Sequence, residues 1–373
     1  MAVEYPEIRR NTVYMFKISF SNPIIKTDME EIFLNVPEST RLFHKKIYIS
    51  GASGMIASYL VSFFIWLNEE QNAGIEIYAG IRNGQKCDLR FGEYAKKSCF
   101  HLIQKDVLFP LPDDVQPDYV IHAASLASPQ YYGLYPVETM LPNVVGTYQL
   151  LEYARNHDVD GFLFFSSGAV YGTAEGSVSI SENSIGLLDY LARGNSYGES
   201  KRCGEALCFS YSDEYHVPVK IARIHHTYGP TIDIDNDSRV FSEFVGNIVK
   251  YQDIVIKSSG ESKRAFCYIT DTISALLIIL LNGKNGEAYN VGNPDEYIRI
   301  RDLAAVLTSL FPERNLSAKF EKRQNDAYVS SPNSRLVPLD VGRLKGLGWE
   351  NKVSIKEGFM RTVQAIEYEK RQV

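Results

Sequence analysis

From residue 45 onward, short apolar runs alternate with longer segments whose apolar positions recur at helical spacing. KKIYIS (45–50), IEIYAGI (75–81), HLIQKDV (101–107), DYVIHAA (118–124), GFLFFSS (161–167) and VKIARI (219–224) predict six strands. Met55–Asn68, the stretch from about Val144 to Asn156, and Asn195–Tyr215 predict helices between them. Strands that are apolar throughout, without in–out alternation, belong to a parallel sheet covered on both faces. The pattern predicts an α/β fold with a doubly wound parallel sheet. Residues 1–44 show no clear period beyond one short helix at Asp28–Asn35, and read as an extension packed on the main body. The sheet domain is expected over 45–224, with a return segment near 266–292. Residues 225–265 and 293–373 are expected to build a smaller C-terminal substrate-binding lobe over the carboxyl ends of the strands, where open α/β sheets bind ligands.

Composition narrows the partners. The chain of 373 residues can bury a large core, and 45% hydrophobic with 23% charged residues is an ordinary globular balance. A net charge of -6 without a basic run argues against a nucleic-acid surface. Five cysteines form no CxxC pair, which fits reduced thiols and gives no disulfide framework or metal site. The longest apolar stretches, Met55–Leu67 and Ala275–Leu281, fall short of the roughly 20 residues that span a bilayer. Glu4, Glu7, Arg9 and Arg10 precede any apolar run, unlike a secretory signal. A cytoplasmic protein without membrane association is expected.

The first strand runs into Ser50-Gly51-Ala52-Ser53-Gly54-Met55-Ile56-Ala57 and then a helix. Gly51 permits the tight turn, and Gly54 lets backbone approach a pyrophosphate at the positive helix end. A bare G-x-x-G is often only a turn, but strand–turn–helix context makes dinucleotide binding the better reading. An acid at the end of the second strand would select NAD, and this chain offers Gly80, Ile81, Arg82 and Asn83 there. Arg82 can stack on adenine or meet the 2′-phosphate of NADP, or be a surface arginine beside a turn. Asp106 is either an adenine contact or a solvated loop acid. NAD is the expected cofactor, with NADP possible.

Tyr197-Gly-Glu-Ser-Lys201 places a phenol and an ammonium on one helical face. A free tyrosine, with a pKa of about 10, is a poor base at neutral pH. A neighbouring ammonium and a positive nicotinamide ring would favour the phenolate. Ser167, ending the fifth strand, can hydrogen-bond the same substrate oxygen.

GASGMIAS, the HAA ending at Ala124, SSGAVYG, YGESK and RIHHTYGP occur in this order over roughly residues 45–350. Together they resemble the extended short-chain dehydrogenase/reductases, the NAD-dependent epimerase/dehydratase family of nucleotide-sugar enzymes, with a Rossmann-type sheet. ASPQYY (127–132), PVETMLPNVVGT (136–147), DSRVFSEF (237–244) and KRAFCYITD (263–271) most resemble UDP-glucuronate decarboxylases and dTDP-glucose 4,6-dehydratases within that family. The resemblance implies a nucleotide-sugar substrate, with Tyr197 as the base for the C4 hydroxyl, Lys201 holding the nicotinamide ribose and Ser167 polarising O4. It implies cofactor contacts at Gly51, Ser53, Gly54, Met55, Ile56, Arg82, Asp106 and Val107. Ala123, Ala124, Ser125, Asn143 and Ser166 join Tyr197 and Lys201 in that set. Ser128, Tyr132, His226, Arg239 and Arg264 are the implied substrate-binding residues, the two arginines matching diphosphate ligands; His226 reads equally as a satisfied core histidine.

One departure bears on the reaction. Decarboxylases and dehydratases of this family carry a glutamate where this chain has Ala169, and dehydratases an aspartate where it has Gly168. Neither residue here can move a proton. The 4-epimerases resemble S-A-T-V-Y-G and lack that carboxylate. The expected function is therefore C4 oxidation with 4-epimerisation. The alternatives are a 4,6-dehydratase or UDP-glucuronate decarboxylase, or a non-catalytic nucleotide-binding subunit. Leu150, Leu151, Tyr153, Ala154, Ala206, Leu207, Phe209 and Tyr211 exceed what one sheet face needs, and predict a homodimer.

Overall fold

The computed structural model describes residues 14–172, 179–321 and 339–372. The N-terminal half contains α1 (Pro23–Asn35), β1 (Lys46–Ser50), α2 (Met55–Glu70), β2 (Glu76–Gly80), α3 (Gly84–Phe91), β3 (Phe100–Ile103) and β4 (Tyr119–His122). Then come α4 (Pro129–Leu134), α5 (Pro136–Leu141), α6 (Thr147–Asn156), β5 (Gly161–Ser167), α7 (Ser196–Tyr215) and β6 (Val219–Ile224). The remainder is β7 (Thr227–Tyr228), α8 (Val240–Val249), β8 (Ile254–Ile256), β9 (Lys263–Ala265), β10 (Cys267–Tyr268), α9 (Ile269–Asn282) and β11 (Glu287–Val291). It finishes with β12 (Tyr297–Arg299), α10 (Ile300–Leu310), β13 (Ala318–Phe320), α11 (Gly342–Lys345) and α12 (Ile355–Lys370).

The central sheet has seven parallel strands in the order β11-β6-β5-β4-β1-β2-β3. The chain winds outward from β1 in both directions, so the crevice at its carboxyl end lies between β1 and β4. All four residues of β4 and the first six of β5 are buried, which is why these strands read as unbroken apolar runs. The return segment supplies α9 and then β11, which pairs in register with β6 from Glu287↔Lys220 to Val291↔Ile224.

Several expected boundaries move. β2 ends at Gly80 and β3 at Ile103, so Arg82 and Asp106 stand on loops past the strand ends. The helix expected from Val144 is preceded by a π-helical turn at Pro142–Gly146, and α6 begins at Thr147.

From residue 14 onward the N-terminal extension packs on the main body as expected, and it enters the core. Asn22 caps α1 by accepting from the Ile24 N–H at 3.1 Å, and Pro23 opens the helix. Ile25, Met29 and Ile32 are buried among the residues of α2, α9 and α12. Asp28, also buried, accepts from the hydroxyls of Tyr59 and Tyr268 and pairs with Arg361 at 2.9 Å. A second contact crosses the fold: the Arg90 guanidinium donates to Phe16 O at 2.8 Å and to Thr231 O at 3.2 Å. No helix among the described residues is long and apolar enough to cross a membrane.

Candidate active site

Two turns frame the crevice. After β1, Gly51 takes a φ of +66°, and a β-carbon there would lie 2.7 Å from Ala124 Cα. The turn thus packs against the backbone leaving β4. Ser50 and His122 fix that approach. The Ser50 hydroxyl accepts from Ala123 and Ala124 N–H at 3.1 Å each and lies 2.7 Å from His122 Nδ1. His122 Nε2 meets Pro142 O at 3.0 Å. A carbonyl can only accept, so Nε2 carries the proton and Nδ1 accepts from Ser50. Burial, then the charge of Lys201, pushes this imidazole down to about 3, keeping it neutral.

Gly54 is the N-cap of α2 and offers no side-chain cap, so the first N–H groups, from Met55 and Ile56, point into the turn. Those orphan donors, Gly51 and the buried, partnerless Ser125 Oγ just past Ala124 make a seat that a pyrophosphate fits. Val107 closes the groove wall against Gly146, whose absent β-carbon would lie 2.8 Å from Val107 Cγ1.

The reactive pair stands at the end of β5. Ser167 caps the following turn by accepting from Ala169 N–H at 3.2 Å, and it stands close enough to the Tyr197 phenol to favour its ionised form. Tyr197, 7% exposed on α7, lies parallel to Tyr132 with ring centroids 4.6 Å apart. Tyr132 is anchored by its hydroxyl on Ala127 O at 2.9 Å. Burial raises the Tyr197 pKa, opposed by Ser167 and then by Arg239.

Lys201 lies beside the phenol. Its Nζ donates to Phe165 O at 2.6 Å and stands 5.9 Å from the Tyr197 ring centroid. Burial brings the ammonium itself down to about 7.

Two residues expected at the cofactor are committed elsewhere. Ser166 donates to Glu205 at 2.5 Å, and Glu205 in turn holds Arg223 at 2.6 Å. Asn143 donates to Thr139 O and Ser200 Oγ at 3.0 and 2.9 Å, tying α5 to α7, while its Oδ1 is buried without a partner. On the loops, Arg82 meets Asp106 at 3.5 Å.

The facing wall carries the other set. Ser128 donates to Asp237 at 3.1 Å, and Asp237 also takes the Arg239 Nε at 2.7 Å. Arg239 reaches the Met55 sulfur at 3.8 Å, so it borders the phosphate turn directly. His226 adopts a φ of +31° at the exit of β6. Burial, then Arg264, His225 and Arg239, hold its imidazole well below the ordinary value, so the implied diphosphate ligands gather around it. Sequence reasoning missed His225, whose ring covers Gly168, and missed Tyr14 and Phe16, which join Ser53, Met55 and Arg239 in lining one cleft. Tyr14 and Phe16 belong to no motif, and His225 sits within RIHHTYGP beside the residue singled out there.

Residues 47–292 match the family model described as NAD dependent epimerase/dehydratase family. The chain belongs to this family. UDP-glucuronic acid decarboxylase 3 of Arabidopsis thaliana is 32% identical over 314 residues, covering 84% of this chain and 86% of that protein. UDP-glucuronic acid decarboxylase 1 of Danio rerio is 30% identical, covering 86% and 72%. Among solved structures, UDP-glucuronic acid 4-epimerase from Bacillus cereus, in complex with NAD, superposes with a TM-score of 0.69 at 25% identity, covering 86% of this chain and 96% of that one. An epimerase from Methanothermobacter thermautotrophicus reaches 0.75 at 20% identity, covering 91% and 97%, a likeness of fold. As a member of the epimerase/dehydratase family, the chain is an NAD-dependent enzyme acting on a nucleotide sugar.

Proposed function

We propose that the enzyme oxidises C4 of a UDP-linked sugar and returns the hydride to the opposite face, giving the 4-epimer. The observation that carries this reading is the turn after Ser167. Beside the Ser167–Tyr197 pair, Gly168 and Ala169 offer no group able to take or give a proton. Bound NAD supplies the hydride acceptor and a positive charge near the phenol. Tyr197 then takes the O4 proton, and Ser167 holds the same oxygen as it becomes a carbonyl. Arg239 and Arg264 suit the diphosphate by charge and fork geometry. In this reading the described residues within 225–265 and 293–372 supply the lobe that holds the sugar nucleotide.

After C4 oxidation, 4,6-dehydration needs a base at C5 and an acid at O6. Residues 168 and 169 supply neither. Epimerisation needs only the Ser–Tyr pair and a turn of the sugar within the site.

A second reading, UDP-glucuronate decarboxylation, is favoured by the names of the relatives at 29–32% identity. A 4-ketouronate is a β-keto acid and loses carbon dioxide without prior removal of the C5 proton. The absent glutamate is therefore less prohibitive here than for dehydration.

Incubation with NAD and either UDP-glucose or UDP-glucuronate, followed by separation of the sugar nucleotides and trapping of carbon dioxide, decides between them. A 4-epimer is expected. Carbon dioxide with a UDP-pentose selects the second reading. Unchanged sugars with cofactor bound defeat both and leave a non-catalytic binding subunit.

A further inference from the structure

α7 carries a third ionisable side chain on the face that holds the reactive pair. Glu205 lies one helical turn past Lys201 and two past Tyr197. That face packs on β5 and β6, and Glu205, 4% exposed, bonds to both strands. From β5 it accepts the Ser166 hydroxyl at 2.5 Å, one residue before Ser167. From β6 it accepts Arg223 Nη2 at 2.6 Å and Nε at 2.9 Å, a two-pronged charged contact. Arg223 Nη1 goes on to the Tyr171 hydroxyl at 2.9 Å and to Glu182 O at 2.8 Å. One carboxylate thus ties the helix of Tyr197 and Lys201 to the strand that ends in Ser167.

Its charge falls where one is needed. Lys201 is 2% exposed, and its Nζ donates to an uncharged acceptor, Phe165 O, at 2.6 Å. An ammonium so enclosed is costly without a counter-charge nearby. On β5 it meets the Phe164 ring at 4.9 Å, and on β4 the neutral imidazole of His122. On α7 itself stand Tyr197 and Cys208, whose phenol and thiol burial keeps protonated. Charge comes from Glu205 and from the Arg223 it binds on β6. Arg223 cannot shed its proton, so removing the carboxylate would leave two cations, one of which can lose its charge. That one is Lys201.

We propose that Glu205 is a positioning residue that acts through Lys201, keeping its ammonium charged near neutral pH. Its place in the reaction rests on the C4 chemistry proposed above, but its test needs no turnover. Denaturant melts of the parent, Glu205→Gln, Lys201→Met and the double variant give the coupling between the two positions. Glutamine keeps the shape of the side chain and removes its charge. The carboxylate's contribution is present while Lys201 is charged and is lost as the pH rises through about 7. The coupling should therefore reach about tenfold in the unfolding constant at about pH 5.5 and vanish by about pH 9. Glu205→Asp, which keeps the charge, should couple to Lys201→Met much less. A coupling that is absent, or that stays constant with pH, overturns the proposal and leaves Glu205 a structural tie. If Glu205→Gln does not fold, Glu205→Met with Arg223→Met exchanges the ion pair for apolar volume and carries the same cycle. Unchanged sugars in the turnover assay would defeat the C4 reading without moving this coupling.

Discussion

His225 lies across the face of Gly168: a β-carbon at residue 168 would stand 2.1 Å from His225 Cε1 and 2.4 Å from Nδ1. The loss of a side chain at 168 is thus coupled to a ring that has taken its room. Burial, then the Arg223 guanidinium, hold His225 down to about 4, so the ring is neutral at pH 7, and its Nε2 is buried without a partner.

Gly168→Ala should therefore destabilise the protein by about 1–3 kcal/mol through overpacking. Gly168→Ala in a His225→Ala background should cost much less. A double-mutant cycle from thermal melts measures the coupling, and additive effects would show that the ring moves aside freely.

Tyr197→Phe should keep cofactor affinity and the stack on Tyr132 while losing about 10²–10⁴-fold in turnover. Titration of the cofactor and steady-state rates on the same preparation separate the two effects. More than half the parental rate would remove the phenol from the chemistry.

Lys201 gives a pH dependence with a definite sign. Its folded value of about 7 lies below the unfolded 10.5, so the unfolded chain binds the extra proton between them. The cost of burying the charge is fully present below about pH 7 and fades as the pH rises toward 10.5. Relative to the parent, Lys201→Met should be most favourable near pH 6.5 and lose that advantage by about pH 10.5. Denaturant melts across this range check it, and a constant difference would contradict the assignment. Cofactor binding should weaken at every pH.

Asp28→Ala should cost about 1–3 kcal/mol, because it removes the acceptor of two buried phenols, Tyr59 and Tyr268, while Arg361 keeps Glu31 and Glu357. The measurement is a melting curve together with limited proteolysis. Cleavage within α1 should precede cleavage of the sheet.

The homodimer remains a proposal, but its surface changes. Leu150, Leu151, Tyr153, Ala154 and Tyr211 are all buried within one chain, so they cannot argue for a partner. Val137, Met140 and Tyr148, 59%, 37% and 44% exposed along α5 and α6, carry the argument instead. Light scattering at micromolar concentration should show twice the chain mass, and Met140→Glu with Tyr148→Glu should halve it.

What was legible in the sequence was local. β1, β5 and β6 lie within a residue of expectation because a buried parallel strand is written as one contiguous run. Ser167, Tyr197 and Lys201 were readable because each sits in a short motif at an element's end. β2 was overrun by one residue because Ile81, still buried, continues the apolar pattern after pairing has stopped, while β3, expected to 107, ends at Ile103. Most of the surplus apolar residues of α6 and α7 are buried within the chain because each helix touches both the sheet and its neighbour, while Ala206, Leu207 and Phe209 keep some exposure. The partnerships of Ser166 with Glu205, of Gly168 with His225 and of Asp28 with Arg361 span 39 to 333 positions, and no window along the chain displays them.

That last separation has a bearing on how the molecule is made. Asp28 is buried near the start of the chain, while its counter-charge arrives 333 residues later on α12. During synthesis α1 can dock its apolar face of Ile25, Met29 and Ile32 on α2 and α9, but its carboxylate lacks the Arg361 charge until α12 has emerged. Assembly of the sheet can run ahead on the ribosome, but closing the Asp28–Arg361 pair waits for α12 and has a long loop to close. Nascent chains stalled before α12 should be the species that chaperones recognise.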